Sequence, residues 1–534
     1  MRCLLVRPEF LENTFYNPRE VFRLLGAGSA APPLGLLTVA AYLPPHWELE
    51  FVDGDVAPVT DAQLAWAQVM MISGKGPQEI PIRRLIERAR ARGIPVVVGG
   101  AGPTLQPELF DADYIVAGEA EPVLPRLLAD LAAGVSAGIY RSTTSADLSE
   151  APVPRYDLAR LDNYLFVGMN YTRGCPFGCE FCAQIEIFGR TARTKPVERI
   201  LREHQALFDL GYRGQIDFGY DNLIGDLPKT EAVLAAMRDW NAAHGYPFFY
   251  STEATMNLAK LPRILGLMRD NDFRYVFMGI ESGDEEVLNR AKKGQNTSMP
   301  AAEAVRTLNS YGISVNTGLI LGFDGESDRS AEKMLAMVQG TGAFPTLVLP
   351  LHALPNTQLS RRLEREGRLF RRGVIEIVDG DRTDTATTGL NFATDRPRAE
   401  ILRDLAEVLE KLYRPEAHCA RVALTTRQLE TAHKSRPPLR KLPQLLRAFA
   451  GIVRQIGFDR EAGPYFWKSL ARAALTNPGA LEMVLATWAM NASYARQSRS
   501  YVQALRAQIA HVEKVGEAEV NRGMGATRVE VVRA

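Results

Sequence analysis

The sequence predicts an α/β protein: an N-terminal doubly wound parallel sheet, then a partial (β/α)6 barrel of the TIM type, then a helical C-terminal region. The first observation behind this prediction is that short β-branched runs alternate with amphipathic segments through two successive series, as in parallel sheets with crossover helices. The second is that the strand pattern fades after about residue 395, where apolar residues instead recur at intervals of three and four. We therefore expect three regions, at residues 1–145, 146–375 and 376–534.

The first region contains five candidate strands, separated by helical segments. These strands are Arg2–Val6, Leu49–Val52, Val69–Ile72, Pro95–Val98 and Tyr114–Ala117. Doubly wound sheets bind ligands beyond the carboxyl ends of their strands, and glycines there let the backbone approach a ligand closely, although they could also simply make turns. A dinucleotide site has little support, because no Gly-x-Gly-x-x-Gly follows the first strand. The candidate binding residues at the strand ends are Ser73, Gly74, Gly99, Gly100, Gly118 and Glu119.

The second region contains six candidate strands, most of them separated by helical patterns. They are Leu165–Met169, Gln215–Phe218, Phe248–Thr252, Tyr275–Met278, Ser314–Ile320 and Thr346–Leu349. Functional residues of such barrels gather at the carboxyl ends of the strands. Three cysteines follow the first of these strands directly, so we expect the chemistry of the protein there.

Composition narrows the function classes. Lys and Arg number 63 against 62 for Asp and Glu, so a net charge of +1 gives no electrostatic reason to expect a nucleic-acid partner. No apolar run approaches the ~20 residues of a transmembrane helix, and the N-terminus predicts a strand rather than a signal peptide. Five cysteines in 534 residues cannot form a disulfide framework. We expect a cytoplasmic protein without a transmembrane segment.

The cysteine loop carries the strongest motif. Cys175, Cys179 and Cys182 have the spacing C-x3-C-x2-C, and the aromatic Phe181 stands just before the third cysteine. Nearby glycines and a proline let the loop curl, and thiolates are the usual ligands of iron–sulfur clusters. Because no fourth cysteine lies nearby, one iron would stay open to another ligand. A structural zinc site and a C-x-x-C redox pair are the alternatives, but the first lacks a close fourth ligand and the second leaves Cys175 unexplained.

This loop resembles that of the radical S-adenosylmethionine (SAM) superfamily. The resemblance implies a [4Fe–4S] cluster held by the three cysteines, SAM bound at the open iron, and a deoxyadenosyl radical formed by reductive cleavage. It also implies an external electron donor of the flavodoxin or ferredoxin type.

Later residues match the superfamily's cofactor contacts. The resemblance places Asp221 and Asn222 near the methionine amino group, and polar side chains at later strand ends near the ribose or the methionine carboxylate. It places an apolar strand on the adenine. Each of these could equally be a capping, solvated or core residue. The further SAM-binding candidates are Phe181, Ser251, Glu253, Glu281, Ser282, Gly318, Ile320 and Gly322.

The order of regions resembles the cobalamin-binding radical SAM class, and within it the subfamily with a helical C-terminal extension that includes the hopanoid C-2 methylase. Its markers include Pro32–Leu36, Gly118–Glu121, the cysteine loop and Ala353–Thr357. The resemblance implies methylation of an unactivated carbon of a small molecule or lipid, with cobalamin bound by the first region. The D-x-H-x-x-G signature of classical cobalamin proteins is absent, as in many methylases of this class.

Several alternatives stay open on the sequence. A radical cyclase, oxidase or rearrangement enzyme could carry a vestigial cobalamin domain. An RNA methylthiotransferase would need three more N-terminal cysteines, where only Cys3 is present. A non-catalytic metal-binding scaffold is the alternative outside enzymes. The sequence assigns no catalytic side chain and names no substrate.

Overall fold

A computed structural model describes residues 1–10, 17–135, 138–219, 221–372 and 389–527. The chain divides into two compact units. The first contains the N-terminal strand, Gly26–Pro176 and Gln184–Trp240. The second contains the helix before Leu25, the short segment Phe177–Ala183 and the chain from Asn241 onward. The three region boundaries expected from the sequence stay a prediction.

The first unit begins with a parallel six-stranded sheet whose strand order is 2-1-3-4-5-6. All five predicted strands are present, and a sixth lies at the edge. The strands are β1 (Arg2–Arg7), β2 (Glu48–Asp53), β3 (Val69–Ser73), β4 (Val96–Gly99), β5 (Tyr114–Ala117) and β6 (Gly138–Arg141). The helices of this part of the chain are α1 (Arg19–Leu24, in the second unit), α2 (Leu34–Tyr42), α3 (Asp61–Trp66), α4 (Glu79–Arg90), α5 (Ala101–Leu105) and α6 (Leu124–Ala133).

Both faces of this sheet are covered, which is why its strands read as continuous apolar runs. Successive residues of a strand point to opposite faces, so Leu4 and Cys3 enter different cores. One core packs α3 and α4 against the sheet, and the other packs α2 and α6. The predicted doubly wound sheet is confirmed. In this strand order the direction of winding reverses between β1 and β3, so ligands are expected near the carboxyl ends of those strands.

The second parallel sheet has six strands, and all six predicted strands are present. The first unit holds the elements β7 (Phe166–Asn170), β8 (Thr172–Arg173), α7 (Gln184–Phe188), β9 (Arg193–Thr194), α8 (Val197–Asp209), β10 (Gly214–Gly219) and most of α9 (Leu227–Ala243). There β7 and β10 pair in parallel, and β8 and β9 form a separate antiparallel pair.

In the second unit, four strands of this sheet pair in parallel in the order 11-12-13-14. The elements are β11 (Phe248–Glu253), α10 (Pro262–Asp270), β12 (Phe273–Glu281), α11 (Glu285–Arg290), α12 (Ala301–Asn309), β13 (Ser314–Leu321), α13 (Ser330–Thr341), β14 (Thr346–Pro350) and α14 (Gln358–Arg365). The strand–helix alternation agrees with the predicted TIM-type arrangement.

The C-terminal region is helical, as predicted. Its helices are α15 (Arg398–Leu412), α16 (Pro415–Gln428), α17 (Leu442–Ile452), α18 (Gly463–Thr476), α19 (Leu481–Val515) and α20 (Glu517–Gly523). An apolar core joins α16, α18 and α19 around the buried Phe466 and Trp488. The apolar spacing of three and four residues that predicts helices in this region does not mark α16.

Candidate functional site

The turn before the first cysteine requires glycine. Gly174 has φ +88°, and a Cβ there would lie 2.4 Å from the carbonyl oxygen of Thr191. The Cys175 N–H donates to the Gly189 carbonyl at 3.3 Å, so the following backbone is tied to the same chain segment. Any side chain at position 174 would force this turn open, because the clash is with backbone.

Asp221 and Asn222, the predicted contacts to the methionine amino group, both contact this turn. The Asp221 carboxylate accepts a hydrogen bond from the Gly174 N–H at 2.6 Å and another from Gln184 Nε2 at 2.8 Å. Burial raises the pKa of Asp221 to about 6. The Asn222 amide donates to Cys175 Sγ at 3.9 Å, a long N–H···S contact. Both side chains therefore form hydrogen bonds with the cysteine turn itself.

A buried ion-pair network precedes the same turn. Arg173 donates to Glu119 Oε1 and to Glu121 Oε1, both at 2.7 Å, and Arg193 contacts both oxygens of Glu119. Glu119 Oε2 also accepts a hydrogen bond from the Ala146 N–H at 3.0 Å. The pKa of Glu121 is lowered because the Coulombic and hydrogen-bonding contribution of Arg173 outweighs the cost of burial. Both oxygens of Glu119 are engaged, so the geometry gives it a positioning role for Arg173.

The glycine turns of the first sheet differ from one another. Gly100 has φ +102°, and a Cβ there would lie 2.6 Å from the Gly74 carbonyl oxygen and 2.9 Å from Ser73 Oγ. The turn at Gly100 therefore packs directly against the turn at Ser73 and Gly74. Gly118, with φ +106°, has no atom of the described residues within 4 Å of its Cβ position. Gly99 has no positive φ, and a Cβ there would lie 3.6 Å from Val116 Cβ. Gly118 is thus the predicted glycine beside which the structure leaves room for a ligand.

In the second unit, Cys179 is buried and Cys182 half-buried. Gln295 Nε2 donates to Cys179 Sγ at 3.3 Å, and the Cys182 N–H donates to the Cys179 carbonyl at 3.1 Å. Between the two cysteines, Glu180 accepts two hydrogen bonds from Arg362 at 2.8 and 3.0 Å. A salt bridge therefore anchors this part of the loop to α14.

A buried Lys–Glu pair lies at the end of β12. Lys293 Nζ contacts Glu281 Oε1 and lies 5.6 Å from the ring centre of Phe181. The pKa of Lys293 is raised because the negative charges of Glu281 and the cysteines outweigh its burial. Glu281 has φ +67°, a strained conformation for a residue other than glycine, of the kind found at functional sites. Phe181 also packs edge-on against Phe323, with ring centres 5.5 Å apart.

The remaining predicted SAM residues lie at strand ends of the second unit. Ser251 is buried and Glu253 half-buried at the end of β11, while Ser282 Oγ accepts a hydrogen bond from the Asp284 N–H. Along β13, Gly318 and Ile320 are half-buried and alternate with buried residues, so they share one face of the strand. A Cβ on Gly318 would lie 3.0 Å from the Phe277 ring.

The Gly322 turn ends β13. Gly322 has φ +103°, and its N–H donates to Glu326 Oε2 at 2.9 Å. Burial raises the pKa of Glu326 to about 7. A buried carboxyl group thus fixes the turn that follows the predicted adenine strand.

A basic cavity of about 320 Å³ lies beside Glu180 in the second unit. Five cationic side chains and only one carboxylate line it. They are Arg290, Lys292, Arg361, Arg362, Arg365 and Glu180.

Sequence reasoning missed several residues around the cysteines. Arg173 stands two positions before Cys175, and a positive charge so close to the cysteines was an available indication. Lys293 and Gln295 belong to no motif and lie more than a hundred residues after the cysteines. Among the described residues, no group of three or more His, Cys, Asp or Glu side chains forms a metal-ion site, so ligation by the cysteines stays a prediction of the motif.

Comparisons with known proteins agree with this arrangement. The sequence profile of the Radical SAM superfamily matches residues 169–338, and that of the B12 binding domain matches residues 22–128. A domain of unknown function, DUF4070, matches residues 357–507. An uncharacterized methyltransferase of Synechocystis sp. is 36% identical over 501 residues, covering 92% of this chain and 91% of the relative.

The hopanoid C-2 methylase of Rhodopseudomonas palustris is 31% identical over 487 residues, covering 88% of this chain and 89% of the relative. The chain belongs to this family of B12-binding radical SAM enzymes. The family assignment from the sequence is thereby confirmed, as are the three expected cofactors (a [4Fe–4S] cluster, SAM and cobalamin) and the class of cobalamin-dependent radical SAM methyltransferase.

Solved structures confirm the fold of this radical SAM enzyme. The cobalamin-dependent radical enzyme OxsB with aqua-cobalamin bound superimposes with a TM-score of 0.58 at 16% identity, covering 98% of this chain and 83% of that one. The methyltransferase TsrM from Kitasatospora setae gives a TM-score of 0.54 at 16% identity, covering 71% and 78%. In the described part of the chain, no helix is long and apolar enough to cross a membrane.

Proposed function

We propose that this enzyme methylates an unactivated carbon of an apolar lipid or similar small molecule. The observation that carries the proposal is the match of nearly the whole chain to a hopanoid methylase. When bound, the cluster and SAM would supply a radical that abstracts hydrogen, and cobalamin would supply the methyl group. The protein's own residues would bind and orient these groups and exclude water.

The cysteines are the proposed ligands of the cluster. Cys175, Cys179 and Cys182 form no disulfide bond with any described residue, and side-chain amides donate to two of them, Asn222 to Cys175 and Gln295 to Cys179. Hydrogen bonds to sulfur are among the means by which proteins set cluster potentials. The donor set therefore fits a thiolate cluster.

The strand ends of the second unit are the proposed SAM site. Glu281, held by Lys293, and the neighbouring Ser282 would offer polar contacts at the end of β12. Ser251 and Glu253 would do so at the end of β11. The half-buried face of β13, with Gly318 and Ile320, would pack on the adenine. Gly322 would hold the end of that strand, while Phe181 would shield the cluster from water.

In the first unit, the described turns fit a corrin unequally. Gly118 is the best placed contact, because its Cβ position is open, while Ser73, Gly74, Gly99 and Gly100 would shape the floor of the site. His46 is exposed and precedes β2, on the opposite edge of the sheet from these turns. We therefore propose a cobalt without a histidine ligand from this sheet.

We further propose that the electron comes from a small external carrier of the flavodoxin or ferredoxin type. The basic cavity supports this, because it adjoins the loop residue Glu180 and would attract an acidic protein surface. Disulfides form in oxidising compartments, whereas the cysteine loop is proposed to hold a cluster as thiolates, so a cytoplasmic location is part of the proposal.

If the electron donor docks at this cavity, charge reversal there should slow the reaction driven by flavodoxin but not the reaction driven by a chemical reductant. Reversing charge in R361E/R365E should slow 5′-deoxyadenosine formation driven by reduced flavodoxin about tenfold, by loss of electrostatic steering. The rate with dithionite should not change. The control R126E/R329E alters exposed arginines elsewhere and should match the parent with both reductants. Equal rates for the two double variants with flavodoxin would refute docking at this cavity.

The test of the reaction is an anaerobic incubation of the reconstituted enzyme with SAM, reductant and an apolar lipid fraction. Methyl transfer requires both 5′-deoxyadenosine and S-adenosylhomocysteine as products. Cys179→Ala should form neither, whereas Cys419→Ala, a buried cysteine outside the loop, should keep both activities. Turnover by the Cys179 variant would refute the cluster assignment. Deoxyadenosine without S-adenosylhomocysteine would favour a radical reaction other than methylation.

A further inference from the structure

An apolar stripe on α17 and on the short helical turn Leu439–Lys441 before it faces solvent. It consists of Leu439, Leu442, Leu445, Leu446 and Phe449, and we call it the outward stripe. Leu439 is 87% exposed, Leu446 59% and Leu442 50%. The spacing of three and four residues places its helical members on one side of α17.

The opposite side of α17 already has its packing partners. Ala448 and Ile452 are buried, and a Cβ on Gly451 would lie 3.0 Å from Leu24 of α1. The helix thus packs into the protein through Ala448, Gly451 and Ile452, while four larger apolar residues (Leu442, Leu445, Leu446 and Phe449) face outward, unlike the polar outer face of an ordinary surface helix. A contiguous exposed apolar surface of this kind marks an interaction site.

The charge around the outward stripe indicates what binds it. Six lysines and arginines and no acidic residue stand between Glu430 and Asp459. Of these, Arg436, Arg447 and Arg454 are exposed. Apolar side chains combined with basic ones are typical of helices that lie in the interface of an anionic membrane.

Two neighbouring residues extend the apolar surface along the chain. Phe458, 77% exposed, follows the last turn after α17, and the half-exposed Trp467 lies on α18. The Trp467 ring nitrogen donates to the Gly457 carbonyl at 2.9 Å, which fixes the ring against this turn. Tryptophan with one polar and one apolar side is favoured at the level of lipid headgroups.

We propose that the outward stripe docks the enzyme on the surface of an anionic lipid bilayer. At 11 residues α17 is about 16 Å long, so it can lie in the interface but cannot span the membrane. A second copy of this chain fits the surface less well. A twofold contact through the stripe would bring the same exposed arginines of both copies together.

Vesicle sedimentation of the full-length protein tests this docking without cofactors or substrate, so its outcome is independent of the methylation. The wild type should bind vesicles of phosphatidylcholine containing about a third phosphatidylglycerol and should bind pure phosphatidylcholine more weakly. L439S/L442S/L446S should lower the partition coefficient about tenfold or more, because apolar insertion is lost. R447E/R454E should weaken binding to the anionic vesicles alone.

The control L210S/L227S replaces exposed leucines in the first unit and should bind as the wild type does. All three variants change exposed side chains, so their unfolding midpoints should match the parent. Two outcomes would overturn the proposal. One is a triple variant that sediments with vesicles as well as the wild type. The other is a wild-type protein that does not sediment with vesicles. If that protein also forms a dimer that the triple variant does not form, the stripe is an interface between copies of this chain.

Discussion

Around Cys175 in the first unit, carboxylates are held by arginines, and the backbone turn is held by a carboxylate. Glu119 and Glu121 bind Arg173, and Asp221 accepts from the Gly174 N–H. In the second unit, Glu281 has Lys293, but the buried Glu326 at the end of β13 bonds to backbone. Glu119 and Glu121 are thus held as ion pairs with Arg173, whereas Glu326, like Asp221, bonds to backbone and has a pKa raised by burial. The ion pairs and Glu326 should therefore respond differently to substitution.

The largest effect is expected from breaking the ion pairs of the first unit. Arg173→Leu leaves Glu119 and Glu121 without their shared partner, and removing one member of a buried charge network costs about 3–5 kcal/mol. Denaturant unfolding should show this loss, together with reduced iron incorporation. Arg173→Lys keeps the charge but not the two-pronged geometry, so its free energy of unfolding should lie between those of the wild type and the leucine variant. A loss under about 1 kcal/mol for the leucine variant would mean that the network does not support the loop.

Glu326→Gln should alter how stability depends on pH. Because burial raises the pKa of Glu326 to about 7, the folded protein keeps a proton that the unfolded chain has lost above about pH 4.5. Wild-type stability attributable to this group therefore falls as pH rises from about 4.5 to about 7. Glutamine does not ionise, so the variant should gain roughly 2 kcal/mol on the wild type between pH 5 and pH 8.

Denaturation midpoints of both proteins at the two pH values provide this comparison. Glu332→Gln, at a fully exposed glutamate, is the matched control and should show no such gain. If the difference between the Glu326 variant and the wild type is the same at both pH values, the carboxyl group is not protonated in the folded protein.

The smallest effect is expected from Gln295→Leu. This change removes the N–H donor to Cys179 Sγ and replaces it with a side chain of similar size. The reduced cluster loses stabilisation, so its midpoint potential should fall by on the order of tens of millivolts. Anaerobic redox titration measures it. Gln358→Leu, which alters a glutamine that lies on α14 and bonds to Lys292, is the control. An unchanged potential in the Gln295 variant would show that the contact does not reach the cluster.

The sequence predicted the strands well because β-branched runs in parallel sheets are buried on both faces. It missed β6, a four-residue edge strand with exposed ends. It also missed α16, whose buried His418, Cys419 and Arg421 interrupt the usual apolar spacing. Polar residues buried by tertiary contacts carry no local pattern, so such a helix is visible only in the folded chain.

The cysteine motif of the site was predictable from the sequence, but the hydrogen bonds and ion pairs around it were not. The cysteine spacing predicts thiolate ligands by itself. The engagement of Glu119 by Arg173 joins residues 54 positions apart, and that of Asp221 by Gly174 joins residues 47 apart. Spacing along the chain cannot show whether a carboxylate at a strand end faces a ligand or a neighbouring turn. That distinction needed the three-dimensional contacts.

The most direct test of the central claim uses SAM with an isotopically labelled methyl group. The reconstituted enzyme, loaded with cobalamin and a reductant, would be incubated anaerobically with an apolar lipid fraction. We predict a labelled lipid product, with 5′-deoxyadenosine and S-adenosylhomocysteine formed in equal amounts. Deoxyadenosine formation with neither labelled product nor S-adenosylhomocysteine, in an enzyme shown to hold cobalamin, would contradict carbon methylation.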